Sequence, residues 1–319
     1  MTDFTLRQLE YFLAVLDRGS VSDAAKDCRV SQATVSAALA QLEKQLKVTL
    51  IARGPARRAR PTSAGREFGV RAREILSHVS DAVESLNDES AALQGPLRIG
   101  CIPTAGPRML PATAAQFVRH HPQVDVSFVE AHPLTVQQMV LNGEVDVAVM
   151  YRKQIQIEGI TRHDLAEVQL HAIVSADHPA ADQDGVDIAE LIDDPLILLD
   201  SPPTADLLIS QIRGIGFEPS VRWLIPNAET IRSMVGLGLG FSLANAVPHP
   251  NTLTFQGMPV RYLPVTNPEF ANTIVGVTMA GARLSKKLTA ALDILRKTAA
   301  ETDPHRWNRQ SRTPTSPQH

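Results

Sequence analysis

Between positions 5 and 46 the apolar residues recur in three short helical stripes separated by only a few residues, and this compression dictates the fold of the N-terminal part. Leu6, Leu9, Phe12, Leu13 and Leu16 form the first stripe, at the spacing that puts side chains on one helix face. Gly19 follows and suits the left-handed backbone that ends a helix. Ser20-Val21-Ser22-Asp23 then has the hydroxyl-to-acid spacing of a capping box. It opens a short second helix that turns Val21, Ala24, Ala25 and Cys28 inward. Ser31 is the expected N-cap of a third helix, in which Val35, Leu39, Leu42 and Leu46 lie along one stripe.

Two short helices, a tight turn and a third helix describe a helix-turn-helix. The third helix of that motif enters the major groove and needs polar side chains near its N-terminus. Here Ser31 is followed by Gln32, Thr34 and Ser36, while Val35 and Leu39 face the core. A glutamine can bond adenine through two hydrogen bonds, and hydroxyl groups can contact bases or phosphates. Residues 52–61 read Ala-Arg-Gly-Pro-Ala-Arg-Arg-Ala-Arg-Pro. Gly and Pro break any helix there, so an exposed hairpin or wing carrying Arg53, Arg57, Arg58 and Arg60 is expected. Charge agrees in sign. Residues 1–66 hold 11 Lys/Arg against 6 Asp/Glu, whereas the rest of the chain is acidic and the whole carries −3. A basic piece on an acidic body points to an anionic partner for that piece alone.

From Ser63 to about Leu93 a longer helix is expected. Phe68, Ala72, Ile75, Val79, Ala82 and Leu86 step by alternating fours and threes, the heptad spacing of a pairing seam. Packing on the helix's own domain is the alternative reading of the same stripe. Beyond Pro96 the texture changes to apolar strand-like runs at 97–102, 124–129, 145–151, 168–174, 196–199, 221–225, 239–243 and 273–279. Helical stretches near 107–119, 133–142, 204–214, 227–237 and 284–299 lie between or after them. Such alternation implies an α/β domain with mostly parallel sheets. Residues 302–319 are rich in Pro, Ser, Thr, Arg and Gln and read as a disordered tail.

Other chemistries are poorly supported. Cys28 and Cys101 are the only cysteines, too few for a disulfide framework or a zinc site; each reads as a small buried hydrophobe, with a redox-sensing thiol as the alternative. The ten histidines show no metal-ligand spacing, so neither metal nor cofactor is expected. Gly236-Leu-Gly-Leu-Gly240 follows a helix and precedes a strand, the wrong order for a dinucleotide loop. No apolar run is long enough to span a membrane and the start lacks the features of a signal peptide, so a cytoplasmic location is expected.

With these residues in view, the chain resembles the LysR-type transcriptional regulators. The resemblance rests on Leu9-Glu-Tyr-Phe12, Gly19-Ser-Val-Ser-Asp-Ala-Ala25, Val30-Ser-Gln-Ala-Thr-Val-Ser36, Leu42-Glu43, Leu50-Ile-Ala-Arg53 and Pro61-Thr-Ser-Ala-Gly65, in that order. The family plan fits all but the tail. It implies a winged helix-turn-helix over 1–62, a dimerising linker helix over 63–94 and an effector-binding domain over 95–301. That last part would resemble the bilobed type 2 periplasmic-binding-protein fold, with one lobe at roughly 95–163 and 269–300 and the other at 164–268. Three departures stand out. Ala37 replaces the family's usual Arg after the recognition-helix Ser, Ile51 replaces a common Phe, and Cys28 a common Leu. Carried over residue by residue, the resemblance gives Gln32, Thr34 and Ser36 contacts to base edges or nearby backbone. It gives Arg53, Arg57, Arg58 and Arg60 contacts to phosphate or the minor groove.

Open α/β sheets bind ligands beyond the carboxyl ends of their strands, where helix N-termini offer N–H groups to a small anion. On that ground Thr104, Ser201 and Asn227 are nominated as ligand-facing, with Ala131 and His132 beside them; for each, a helix cap touching no ligand is the competing role. Asp200 and Glu229 nearby would repel a carboxylate, so a small organic acid that also carries a polar or cationic group is the candidate effector. The resemblance implies a homodimer or homotetramer on inverted-repeat double-stranded DNA. A solute-binding protein on the same bilobed fold would have no helix-turn-helix. An enzyme would need an acid, base and nucleophile constellation that these residues do not offer.

Overall fold

The computed structural model describes residues 4–53, 59–86, 92–245, 252–282 and 284–301. The chain divides into two units, the first essentially residues 1–92 and the second the remainder.

The first unit opens with α1 (Leu6–Arg18), α2 (Val21–Asp27) and α3 (Gln32–Leu46). Thr5 caps α1 through a reciprocal box, its Oγ1 accepting from Gln8 N at 3.3 Å and its own N–H donating to Gln8 Oε1 at 2.7 Å. Gly19 ends the helix at φ +59°, a conformation that costs a Cβ-bearing residue. Ser20 Oγ accepts from Asp23 N at 3.3 Å, and the Asp23 carboxylate accepts from Lys26 Nζ at 2.9 Å. Leu9, Phe12, Val35, Leu42 and Leu50 are fully buried together. Strands β1 (Ile51–Arg53) and β2 (Ala59–Pro61) pair antiparallel with Ile51 opposite Pro61. Helix α4 (Ser63–Leu86) follows, its start capped by Thr62 Oγ1, which accepts from Gly65 N at 2.9 Å. Phe68, Ala72 and Ile75 of the expected pairing seam pack into this same core, with Phe68 5.5 Å from the Phe12 ring and 6.2 Å from that of Phe4. The first half of the seam is therefore packed inside its own unit, while Val79 is 37% exposed.

The second unit contains two five-stranded sheets. The first is ordered β4 (Val124–Glu130), β3 (Gly95–Cys101), β5 (Val147–Tyr151), β12 (Asn272–Met279) and β6 (Ile160–Val168). The second is ordered β11 (Val260–Pro264), β7 (His171–Ser175), β10 (Phe241–Ala244), β8 (Leu196–Leu199) and β9 (Val221–Ile225). Helices α5 (Gly106–His120), α6 (Pro133–Leu141) and α9 (Lys286–Glu301) accompany the first sheet; α7 (Thr204–Gly214) and α8 (Ala228–Gly236) accompany the second. Every residue of β5 is buried, as expected for an apolar run covered on both faces.

Three expectations need correction. The sheets are mixed, not mostly parallel: β12 runs antiparallel to β5 and β6, and β7 antiparallel to β10 and β11. These pairs form where the chain leaves one sheet for the other without a crossover helix, and a right-handed βαβ path is not available there. The stretch 168–174 is not one strand but the last residue of β6 and most of β7, and residues 160–167 of β6 lie outside every expected strand. In consequence the first crossing lies after Val168, not at 163/164. The second lies between β11, a strand the sequence reading missed, and β12. The two crossings are pinned together: Val265 N donates to Leu170 O at 2.9 Å and Gln169 Nε2 to Val265 O at 2.6 Å.

Candidate nucleic-acid interface and effector cleft

Ser31 caps α3 as expected, its Oγ accepting from Thr34 N at 3.1 Å and lying 2.8 Å from Thr34 Oγ1. Val35, Leu39 and Leu42 hold the helix against α1 and α2, which leaves Gln32, Ala33, Thr34, Ala37, Gln41 and Lys44 exposed. Ser36 is half-buried, less available than its position in sequence suggests, because it lies beside the apolar stripe. Gln32 is aimed by a neighbour: Ser22 Oγ donates to its Oε1 at 3.1 Å, leaving the amide NH2 as donor. Exposed polar donors at the start of a helix, with its apolar stripe turned to the core, form the layout that a major groove accepts.

The wing is anchored by a residue to which the sequence pattern gave no role. Glu43 Oε1 accepts from Leu50 N at 2.7 Å and Ile51 N at 3.0 Å, satisfying backbone groups as the chain leaves α3 for β1. Arg53 stands opposite Ala59 in the β1–β2 ladder and Arg60 is exposed on β2. Arg57 and Arg58 lie outside the described residues.

In the second unit the nominated effector residues divide. His132, just past β4, places Nδ1 3.1 Å from Ser201 Oγ, just past β8. The two sheets therefore face each other across a cleft bridged at these strand ends. Thr104 lies two residues ahead of α5, with its side chain beside the phenol of Tyr151, which closes β5. Burial pushes the Tyr151 hydroxyl up to about 12, so it stays a neutral donor or acceptor. Ala131 contributes no polar side chain and its N–H already donates to Cys101 O at 3.0 Å. Asn227 caps α8: its Oδ1 accepts from Glu229 N at 2.9 Å and Thr230 N at 3.1 Å. Only its amide NH2 is left for a ligand.

Sequence reasoning missed three members of this wall. Gln154 Nε2 donates to Thr204 Oγ1 at 2.8 Å, a second bridge between the sheets. Glu130 packs against the first residue of α5; a Cβ on Gly106 would lie 1.6 Å from its Oε1. Tyr151 is the third. Glu130 sits directly before Ala131-His132, so its place was open to inference; nothing in the pattern distinguished Gln154 or Tyr151 from core residues.

Comparison with known proteins fits both halves. A family model described as the bacterial regulatory helix-turn-helix protein of the lysR family matches residues 6–66. One described as the LysR substrate binding domain matches residues 90–300. The chain belongs to the LysR family. As a LysR-type protein it is a DNA-binding transcription regulator with an effector-binding domain, not an enzyme. A similar relative is the hydrogen peroxide-inducible genes activator of Pectobacterium carotovorum subsp. carotovorum, 29% identical over 92% of this chain and 96% of its own. Among solved structures, HinK of Pseudomonas aeruginosa, a LysR family transcriptional regulator, is 27% identical with a TM-score of 0.62, covering 95% of this chain and all of its own (100%). A full-length OxyR variant from Pseudomonas aeruginosa shares the fold at a TM-score of 0.76 and 24% identity, over 92% of this chain and 97% of its own. Among the described residues, no helix of this LysR-family chain is long and apolar enough to cross a membrane.

Proposed function

We propose that this regulator works in the cytoplasm as a dimer or tetramer on an inverted-repeat promoter site, and answers a small molecule held between its two α/β lobes rather than the oxidation of a thiol. The observation that carries the reading is the pair His132 and Ser201, polar groups from opposite strand ends that meet at 3.1 Å. A ligand entering there exchanges this bond for its own and thereby favours one lobe arrangement over the other, which is the requirement for switching. Thr104 and the Asn227 amide extend the same rim.

Because one relative is named for hydrogen peroxide, thiol sensing is the competing mode. It needs a thiolate. Cys101 is 0% exposed and burial raises its pKa strongly, with the Glu130 carboxylate adding to the rise. Burial also raises Cys28, helped by Asp27 and Glu10. Both thiols are held protonated.

On DNA, Gln32 and Thr34 read base edges, with Ser36 at the edge of the contact, and Arg53, Arg57, Arg58 and Arg60 hold phosphates. Ala37 leaves empty the position of the family's usual Arg. A gel-shift series with the bound promoter fragment tests both halves. Gln32→Ala costs about 1–3 kcal/mol of specific binding, and Ala37→Arg steepens the dependence of log affinity on log salt by about 0.9. Peroxide leaves the affinity unchanged, as does the Cys28→Ser, Cys101→Ala double variant. An affinity that moves with peroxide in the wild type but not in the double variant overturns the ligand reading.

A further inference from the structure

Where the chain crosses between the sheets a second pocket opens beside the cleft; it contains none of the five nominated effector residues but takes in the bridging pair Gln154 and Thr204. Lys153, Gln154, Thr204, Gln211, Asn245 and Asn272 form its polar lining, and three leucines and Phe270 its apolar part. Lys153 and Gln154 sit in the 3₁₀ turn after β5 and Asn272 opens β12, so these three belong to the first lobe. Thr204 and Gln211 come from α7 and Asn245 follows β10, so these belong to the second.

The hydrogen bonds leave a surplus of donors. Lys153 Nζ donates to Glu269 O at 2.6 Å, one of the three bonds an ammonium can make. Asn272 Oδ1 is already occupied by Thr273 N at 2.9 Å and Lys153 N at 3.4 Å, so its amide NH2 is what it can offer. Thr204 Oγ1 accepts from Gln154 and retains its hydroxyl proton. Gln154 Oε1 accepts from Tyr151 N at 3.3 Å, and Gln211 Nε2 donates to the same Glu269 carbonyl at 2.8 Å. The acceptors left over are Gln211 Oε1 and Asn245 Oδ1, against two N–H of Lys153, the two of Asn272, the hydroxyl of Thr204 and the remaining amide hydrogens. No carboxylate lines the pocket. Among the described residues none forms an ion pair with Lys153, and burial alone lowers its pKa. A half-buried cation without a counter-charge is an unfavourable arrangement that an anion relieves. One cation matches one negative charge, and the space is ≈ 20 Å³, above the threshold for one water-sized occupant.

We propose that this hinge pocket binds a small monovalent anion, between halide and formate in size, which joins the two lobes through Lys153 and Asn272 on one side and Thr204 and Asn245 on the other. The ion is distinct from an effector held at His132 and Ser201, although its pocket shares the Gln154–Thr204 bridge with the cleft wall, and it acts as a fixed strut that biases how far the lobes open.

The test uses the full chain in halide-free buffer at constant ionic strength. Sodium bromide and sodium formate are titrated against sodium benzenesulfonate, whose anion is too large to enter, and thermal unfolding is followed. The expected result is a saturable rise in Tm with bromide and formate only, with the half-saturating concentration increased at least tenfold in Lys153→Gln. Bromide-soaked crystals should show an anomalous peak within hydrogen-bond reach of Lys153 Nζ and Asn272 Nδ2. Equal, non-saturating effects of all three salts overturn the proposal. So does a bromide response unchanged in Lys153→Gln, or a bromide peak absent from the pocket. A failure of the cleft reading leaves these outcomes untouched, because none of the probes needs the effector.

Discussion

Gly65 shows how much a single position can carry. A Cβ there would lie 2.0 Å from the Leu50 carbonyl oxygen and 2.9 Å from its carbon, both rigid backbone, so nothing can yield cheaply. Gly65→Ala should therefore destabilise the first unit by about 2–4 kcal/mol, read as a lower urea midpoint. Its neighbour Ala64 faces no such restriction and serves as the control through Ala64→Ser. Tyr151 supplies a prediction in pH. Its phenol is raised from 10.0 to about 12 in the fold, burial being the main cause. Between those values the unfolded chain has lost a proton that the folded chain keeps. The stabilisation is therefore complete below pH 10 and is lost as pH rises towards 12, up to about 2–3 kcal/mol in all. Tyr151→Phe should flatten that part of the stability curve. A slope unchanged from the wild type would mean the phenol does not remain neutral. At this scale the sequence was most informative where one side chain does one local job: Ser31 and Gly19 do as their spacing predicts. It was least informative where a role depends on a partner far along the chain. Glu43 with Leu50 and Ile51, Gln154 with Thr204 and Tyr151 with Thr104 are brought together only by the fold.

For the elements, helical and strand periodicity located most of them but not β6 or β11, because a 3.6-residue and a 2-residue repeat are hard to confuse only where the apolar pattern is clear over a full element. The misreadings share a cause. Residues 168–174 keep a strand-like texture whether or not the chain changes sheet at Gln169, while Arg162, His163, Asp164 and Glu167 of β6, and Arg261 and Tyr262 of β11, deny those strands the uniform apolar texture of a central strand. Parallel and antiparallel pairing also look alike in a single strand's sequence. The seam of α4 teaches a related lesson. One stripe serves two surfaces in succession, with Phe68, Ala72 and Ile75 packed within the first unit and Val79 exposed. The two parts should separate experimentally. Phe68→Ala removes a core aromatic and should cost about 3–5 kcal/mol of stability. Val79→Glu should leave unfolding of the protomer nearly unchanged. It should instead weaken self-association at least tenfold in sedimentation velocity, since it buries a charge where two helices pair. If Val79→Glu associates like the wild type, the linker helices pair elsewhere.

For the effector unit as a whole, separate packing of the two lobes (one core in the first, two in the second) and two thin crossings make rigid lobes on a hinge the natural mechanical description. The first lobe's core gathers Ile99, Met109, Phe117, Val147 and Leu295; the second lobe has one around Leu196, Leu198, Ile212 and Phe241 and another around Ile173, Ile197, Ile231 and Val235. Each sheet could be foreseen from its own strands, but not the contacts between the sheets, since the bridging side chains are ordinary polar residues without a shared motif. Those contacts are few and identifiable: His132 to Ser201 at 3.1 Å and Gln154 to Thr204 at 2.8 Å. A neutral hydrogen bond contributes roughly 1 kcal/mol net, so the pair biases closure by about 2 kcal/mol, roughly thirtyfold in the ratio of closed to open lobes. The double variant His132→Ala, Thr204→Val should shift the ligand-free protein towards the open form. The shift would appear as a larger radius of gyration in solution scattering and faster amide exchange at residues 169–170 and 265–271, with Tm changed by only a few degrees because no core is touched. Scattering and exchange profiles that match the wild type would mean the crossings alone set the lobe angle, and the cleft side chains would then serve the ligand without holding the empty state.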